Sequence, residues 1–495
     1  MTYIDSVHEL LHTIGPGRMP AIAYDTAWAA RLGEIAPDLS QSALDWICAH
    51  QLPDGTWGAA EPFYYHDRVI STLAAMLALA EKGRRAGDKR LIENGLAALN
   101  RIVGGATQGL AADPNGETIG FEMIAPTLVA DAHRMGLIPN QDNRILGRLG
   151  NIRKIKQMKL KHPISRCITP AFSAEMAGTD LDMLDVPELP EQNGSIAFSP
   201  AASAYYARFV KPGDPGALAY LRKTVNPDGG MPNVAPFDIF EVAWVLWNLA
   251  LTNPQIVHDP LVTRHVEFLR NSWQPGKGAG FAAGYSVFDG DETALVFDTL
   301  RQYDGLVDIN VVLSFEGHDH FRCYDLEANP STSTHAHILG ALRQAGMPPE
   351  AAPVRKALEF LQRTCTPAGY WFDKWHLSPY YVTCHLVIAC TDYAPWLTMD
   401  AVEWLLATQK PNGAWGIQAP TAEESAYCIQ ALWVWQQARA VHRNPALAEA
   451  IKRGLAWLEE HARPPYLPLW IGKGLYCPEN VIQSAILSAL AIAEG

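Results

Sequence analysis

One short pattern limits what this chain can fold into more than any other. An apolar helix ends at a Gln, a turn containing Gly follows, and then a Trp. Two near copies are Ala43-Leu44-Asp45-Trp46-Ile47 with Gln51-Leu52-Pro53-Asp54-Gly55-Thr56-Trp57-Gly58, and Ala401-Val402-Glu403-Trp404-Leu405 with Gln409-Lys410-Pro411-Asn412-Gly413-Ala414-Trp415-Gly416. Weaker copies are Ala217–Leu221 with Asn226-Pro227-Asp228-Gly229-Gly230, and Ala357–Leu361 with Gly369-Tyr370-Trp371. Helices at Val266–Leu269 and Leu455–Leu458 share the apolar-aromatic part without the complete turn. Gly supplies the positive φ of such a turn, Gln can cap neighbouring backbone groups, and Trp can stack over the junction between helix pairs. Several copies lie roughly 45–55 residues apart, about the length of a helix pair with its loops, so a helical repeat array is expected. Strand-like alternation is scarce. The fold class that follows is all-α, with stacked helix pairs forming a toroid around a central cavity.

Composition narrows the function. Hydrophobic residues are 48% of the 495 and charged ones 18%, which suits a chain with a large interior. Fifteen Trp and seventeen Tyr suggest an aromatic-lined cavity. A formal charge of -13 argues against a general nucleic-acid binder, so an anionic ligand needs a local basic cluster. The eight Cys are scattered with no C-x-x-C pair, as expected of reduced thiols in a cytosolic protein. The first residues carry acids where a signal peptide carries bases, and the apolar run Val69–Ala80 is too short to span a bilayer. A soluble, cytoplasmic protein without a transmembrane segment is expected.

The stretch Phe288-Asp289-Gly290-Asp291-Glu292-Thr293-Ala294 puts three carboxylates within four residues, ahead of an apolar helix start at Leu295–Leu300. Crowded carboxylates at an apolar wall repel each other, and at least one tends to keep its proton. Such a carboxyl group can act as a Brønsted acid on a substrate without a polar handle. The bland alternative is a solvated acidic turn that caps the helix.

This acidic stretch combined with Gln–Gly–Trp turns resembles class II terpene cyclases, which begin cyclisation by protonating an alkene. The chain is most similar to bacterial class II diterpene cyclases of the halimadienyl (tuberculosinyl) and kolavenyl diphosphate synthase type. The resemblance runs through Tyr24-Asp25-Thr26-Ala27-Trp28, Gly120-Phe121-Glu122, Gly194-Ser195, Pro232-Asn233-Val234, Asp373-Lys374-Trp375-His376 and Pro468-Leu469-Trp470. It implies two α/α-barrel domains. A γ-like domain over 21–210 would be inserted in a β-like barrel made of 1–20 and 211–495, with the Pro/Gly break Lys211–Gly216 as the boundary.

By resemblance, the D-x-D-D motif of the family falls on Asp289-Gly290-Asp291-Glu292, with Asp291 as the general acid. Asp289 and Glu292 would orient it, Glu292 departing from the usual Asp by one methylene. Trp244, Trp247, Tyr285, Trp375 and Trp470 become candidates for stabilising a cation by their ring faces. Lys374 is a candidate phosphate ligand, with Arg68 and Lys473 behind it. A weak Mg²⁺ site is implied at Asp113 and Glu117. Neither D-D-x-x-D nor N-D-x-x-S-x-x-x-E occurs, so the diphosphate of the substrate should survive. A downstream class I synthase or a phosphatase would then use the product. Asn233 matches the Asn of a His–Asn pair that holds the deprotonating water in plant relatives, but Pro170-Ala171-Phe172-Ser173-Ala174-Glu175 supplies no His. The expectation is a longer-lived bicyclic cation from geranylgeranyl diphosphate and a rearranged halimadane or clerodane (kolavenyl) skeleton. Copalyl- or drimenyl-type products, a squalene–hopene-like triterpene cyclase and a non-catalytic helical-toroid interaction protein are the alternatives.

Overall fold

The turns that mark the sequence close in one way. In the computed structural model, which describes residues 3–83, 85–112, 118–138, 149–303, 305–327, 329–439 and 444–493, Leu52 N–H donates to Thr56 O at 2.8 Å and Lys410 N–H to Ala414 O at 2.9 Å. Gly55 and Gly413 sit at φ of 86° and 93°, where a side chain would be strained. Gln51 Nε2 donates to Gly55 O (3.0 Å) and across to Leu91 O (2.8 Å). Gln409 Nε2 donates likewise to Gly413 O and Ala450 O, both at 2.8 Å. The indole N–H groups of Trp57, Trp371 and Trp415 each donate, at 2.8 Å, to a carbonyl ten residues back: Ile47, Leu361 and Leu405. These Trp side chains are fully buried. Each therefore ties the last turn of its own helix to the next helix pair, a tighter role than stacking over a junction.

The chain runs through α1 (Tyr3–Thr13), α2 (Ala23–Ala30), α3 (Pro37–Ala49), α4 (Tyr65–Lys82), α5 (Asp88–Ala112), α6 (Phe121–Arg134), α7 (Leu149–Lys159), a 3₁₀ segment (Thr169–Ala177), α8 (Pro200–Tyr205) and α9 (Pro215–Thr224). It continues through α10 (Asp238–Thr252), α11 (Pro260–Ser272), α12 (Gly290–Gln302), α13 (Ile309–Leu313), α14 (Thr332–Gln344), α15 (Ala352–Thr364), α16 (Pro379–Cys390), α17 (Pro395–Thr408), α18 (Ala422–Gln437), α19 (Pro445–His461) and α20 (Glu479–Ala491). Among the described residues one hairpin, Trp470–Ile471 against Leu475–Tyr476, pairs antiparallel before α20. The stretch after Gly83 is helical from Asp88 to Ala112.

Contacts between neighbours close two rings. In the larger, α10 packs on α12, α12 on α14, α14 on α16, α16 on α18, α18 on α20, and α20 back on α10. The shorter-faced helices α11, α13, α15, α17 and α19 lie outside, and α1 completes the outer layer against α20 and α11. Burial follows these positions: every residue of α16 is buried, whereas α15 buries only the stripe Val354, Ala357, Leu358, Phe360 and Leu361. Because an outer helix separates each inner helix from the next, the inner six run in the same direction. Their N-terminal ends gather on one face. The smaller ring links α2, α4, α6, the 3₁₀ segment and α8, with α3, α5, α7 and α9 outside.

Each ring has its own apolar core. One comprises Val7–Ile14 with residues from Ile239 onward. The other begins at Ile22 and runs to Met231, including Ala217, Leu218, Tyr220 and Leu221 of α9, and takes Ala282, Tyr285 and Val287 from the loop before α12. The chain thus changes core after Met231 and not at Lys211–Gly216, because α9 beyond that break buries its apolar face on α8. Among the described residues, no helix is long and apolar enough to cross a membrane.

If the buried Trp of each turn holds the rings together, Trp415→Ala removes both a core indole and its bond to Leu405. Thermal or denaturant unfolding should show a loss of about 3–5 kcal/mol, with Trp415→Phe costing less. A loss below about 1 kcal/mol would show that the turn is ornamental.

Candidate active site

The loop from Gly278 to Asp289 joins the two cores. Tyr285 packs on Phe281 (ring centroids 4.2 Å) and Phe198 (5.6 Å) of the smaller ring, and four residues later Asp289 caps α12 in the larger one. The start of α12 is a degenerate repeat turn that sequence reasoning passed over. Gln274 N–H donates to Gly278 O at 2.9 Å, as Lys410 N–H does to Ala414 O. Ala279 N–H donates to Thr293 Oγ1 at 3.0 Å, as Trp415 N–H does to Ser425 Oγ. Ala279 thus occupies the place of the Trp. Gly290 has no room for a side chain, since a Cβ there would run into Arg322 O. The loop ending at Cys323 presses on it, with Gly290 N–H bonded to Cys323 O at 2.9 Å.

Asp289 is the N-cap: its Oδ1 accepts the Glu292 N–H at 2.7 Å. The capping reading is therefore correct for Asp289, yet it does not explain the site. A cap contributes about 1 kcal/mol, whereas enclosing a charged carboxylate costs several. Asp289 and Glu292 are 1% and 5% exposed, and Asp289 Oδ2 and Glu292 Oε2 have no protein partner. Burial, reinforced by the neighbouring carboxyl groups, pushes both well above the ordinary carboxylate range. Both flanking groups thus favour the protonated, neutral form more than a solvated carboxyl group does.

Asp291, between them, is different. It lies in the first turn of α12, where the helix dipole favours negative charge. Its Oδ1 is 2.6 Å from His337 Nδ1 of α14, and its side chain is 15% exposed. With His337 donating, Asp291 Oδ1 has a hydrogen bond as well as the helix terminus beside it, and its other oxygen is left for a further contact. Sequence reasoning missed His337, which follows His335 in the Ser/Thr-rich start of α14, since that spacing singles out neither His. It also missed His385, whose burial keeps it neutral by driving its pKa well below the usual value. The ring of Trp244 meets both, 5.1 Å from each.

The other expected residues divide. Trp244 and Trp470 are 1% and 2% exposed and meet edge to face at 5.7 Å. The indole of Trp470 also donates to Glu423 Oε1 at 2.7 Å. Trp247 donates to Asp298 at 3.0 Å. Trp375 is half-buried, edge to face with Tyr324 at 6.3 Å. Lys374 is not a free phosphate ligand: its Nζ holds Glu327 Oε2 (2.8 Å) and Asn329 O (2.7 Å). Arg68 is engaged as well, clamping the first Gln–Gly–Trp turn through Asp54, Thr56, Ala59 O and Ala60 O. Lys473, at the hairpin tip, is fully buried, with Nζ on Glu175 Oε1 (2.7 Å) and Ser199 Oγ (2.6 Å). Its backbone N–H takes up Asn233 Oδ1 at 3.0 Å, and its Nζ stands 4.6 Å from the Phe172 ring. Asp113 and Glu117 lie outside the described residues. Among the described residues, no group of three or more His, Cys, Asp or Glu side chains could hold a metal ion. A surface cleft of about 770 Å³ bounded by Trp433, Asn444, Ile451 and Leu455 shares no residue with this site.

Residues 318–466 match the family described as squalene-hopene cyclase C-terminal domain. Over 483 residues the chain is 46% identical to a type B diterpene cyclase of Mycobacterium tuberculosis, covering 95% of each. It is 30% identical to an ent-copalyl diphosphate synthase of a Streptomyces species, over 95% of this chain and 92% of that one. Among solved structures, the ent-copalyl diphosphate synthase of Streptomyces platensis superposes with a TM-score of 0.82 at 27% identity, covering 100% of this chain and 99% of the other.

The raised carboxyl groups give a pH signature. The folded protein holds the protons of Asp289 and Glu292 more tightly than the unfolded chain does, so their burial destabilises the fold increasingly as pH rises above the ordinary Glu value of 4.5. Glu292→Gln removes one such group. The variant should melt higher than the parent at pH 8, with the difference shrinking toward pH 4. A gain of the same size at both pH values would contradict the raised pKa.

Proposed function

Since the chain belongs to the bacterial class II diterpene cyclases, which are enzymes that catalyse cyclisation, we propose that Asp291 protonates the terminal double bond of geranylgeranyl diphosphate and starts ring closure with the diphosphate retained. One observation supports this most: a single partly accessible carboxyl group at a helix N-terminus, held by His337 and flanked by two enclosed, neutral ones. An isolated alkene is a very weak base. Proton transfer to it needs an acid whose conjugate base is stabilised at once, and the His337 bond and the first turn of α12 provide that. The neutral state of Asp289 and Glu292 keeps other negative charge away from the new carboxylate. The half-buried rings of Tyr324 and Trp375, with Trp244, Tyr285 and Trp470 behind them, offer faces to the travelling cation and no nucleophile to trap it. Mg²⁺ belongs to the proposal only as counter-ion of the diphosphate, and no step of ring closure passes through it.

The product we assign is a rearranged bicyclic diphosphate of halimadane or clerodane type. The segment Pro170–Glu175 supplies no His to orient a deprotonating water; its Phe172 ring stands 4.6 Å from Lys473 Nζ, and Asn233 Oδ1 accepts the backbone N–H of Lys473. A bicyclic cation that meets no base at that point has time for hydride and methyl shifts. Its diphosphate then requires an enzyme that ionises or hydrolyses it.

Incubation with geranylgeranyl diphosphate and Mg²⁺, followed by dephosphorylation and mass spectrometry, tests both parts. Asp291→Asn should return unreacted substrate with its circular dichroism unchanged, and turnover comparable to the parent would remove Asp291 from the role of acid. Phe172→His should shift part of the product to an unrearranged bicyclic skeleton. An unchanged product spectrum would separate the rearrangement from this position.

A further inference from the structure

The larger ring encloses another carboxyl group that neither the acid nor the packing explains. Glu423 lies in the first turn of α18. Its Oε1 accepts three bonds, from Trp470 Nε1 at 2.7 Å, Tyr427 Oη at 3.1 Å and His376 Nε2 at 3.2 Å. His376 Nδ1 accepts the Ser378 N–H at 3.0 Å, so the imidazole carries its proton on Nε2 and donates it. Donors converging on one oxygen suit a carboxylate, which accepts bonds and has none to give. Glu423 Oε2 nevertheless has no protein partner, although the residue is 2% exposed. Glu424 beside it is fully engaged, its oxygens taking Ser378 Oγ (2.6 Å), Thr421 Oγ1 (2.7 Å) and Ile417 N–H (3.0 Å). A Gln at position 423 could accept the same three bonds without a charge. Holding Trp470 in place therefore does not call for a carboxylate.

The place of Glu423 in the ring is a second, independent observation. The inner helices follow in the order α10, α12, α14, α16, α18 and α20, so α18 stands three places from α12 in either direction. It lies directly across the ring. Asp291 and Glu423 both occupy first turns, and the inner helices all start on one face. The two carboxyl groups therefore stand on opposite walls at the same end of the interior. Rings span the space between them: Trp470 meets Trp244 edge to face at 5.7 Å, and Trp244 meets His337 at 5.1 Å. Tyr476 lies near both walls, since burial together with Glu292 and Glu423 raises its phenol. The hairpin that bonds Glu423 through Trp470 carries Lys473 at its tip, on Asn233. One end of the hairpin thus lacks a base, and an unpaired carboxylate oxygen stands at the other.

We infer that Glu423 Oε2 takes the proton whose loss ends the reaction. The inference rests on the cyclisation proposed above and supplies the base that it lacks. Hydride and methyl shifts carry positive charge away from Asp291, and a base on the opposite wall meets that charge only after it has moved. A C–H bond beside the cationic carbon then breaks, its electron pair becomes the ring alkene, and an O–H bond forms at Oε2. Asp291 has given one proton and Glu423 takes one, so substrate and product are isomers and no co-reactant enters. Water admitted as the product leaves removes the proton from Glu423. A buried anion without a cationic partner also suits this place, because the substrate cation supplies the missing charge. The three bonds at Oε1 draw charge from the carboxylate and weaken it as a nucleophile, which favours proton removal over ester formation.

The test separates the first proton transfer from the last. Glu423→Gln keeps the shape and the acceptor for Trp470 but cannot take a proton. Incubated with geranylgeranyl diphosphate and Mg²⁺, it should consume substrate within about tenfold of the parent rate, because Asp291 still starts the reaction. Mass spectrometry of the dephosphorylated products should show the parent product reduced at least about tenfold as a share of the total. Isomeric alkenes from loss of another proton, or alcohols from capture of water, should replace it. Glu423→Asp, with its carboxylate one methylene short, should give the parent product and the new ones together. The parent product alone from Glu423→Gln, at a lower rate or an unchanged one, would mean a packing role or none and overturns the inference. Should Glu423→Gln fail to fold, Glu423→Asp decides, and the parent product alone from that variant is the contradicting result. Any cyclised product from a Glu423 variant upholds the cyclase reading independently, whereas a parent enzyme that forms none defeats both.

Discussion

A carboxyl group removed from water must find a partner or keep its proton, and the larger ring is arranged around that constraint. Asp289 and Glu292 are enclosed with an unpaired oxygen each, so burial pushes both toward the neutral form. Asp291 alone has both an opening and a hydrogen-bonded support. Three neighbouring carboxyl groups of similar intrinsic acidity thereby sit in different surroundings, set by burial and by the His337 contact. The same logic governs His385, which burial among the aromatic rings packed on it keeps neutral.

Placing such a group needs a rigid frame. The Trp turns provide it by repeating one bonding scheme at Trp57, Trp371 and Trp415, and the ring they build points every inner helix N-terminus at one face. The repeat that carries the acid departs from the scheme, with Ala279 where the others have Trp. Tyr285 and the hairpin tip at Lys473 then anchor that face to the smaller ring. The acid accordingly sits where the two cores meet, and Tyr476 packs against both.

Much of this was legible in the sequence because it rests on local pattern. The turn residues between Gln409 and Trp415 announce their φ angle and their cap, and the acidic run at Asp289 stands directly before an apolar helix. What depends on contacts between distant segments was not legible. His337 and His385 gain meaning only when α14 and α16 bring them beside Asp291 and Trp244. Lys374 and Arg68 look like free cations in the sequence, and Glu327 and Asp54, 47 and 14 residues away, already hold them. The Pro/Gly break at Lys211 reads as a boundary, but the apolar face of α9 decides which core that segment joins.

The central claim is that the reaction begins with a hydrogen ion delivered by a side chain. Running the reaction in D₂O tests it most directly. The account predicts a product that keeps its diphosphate and carries one deuterium on the carbon that was the proton-accepting end of the terminal alkene. A product free of deuterium, or one that has lost its diphosphate, would contradict it.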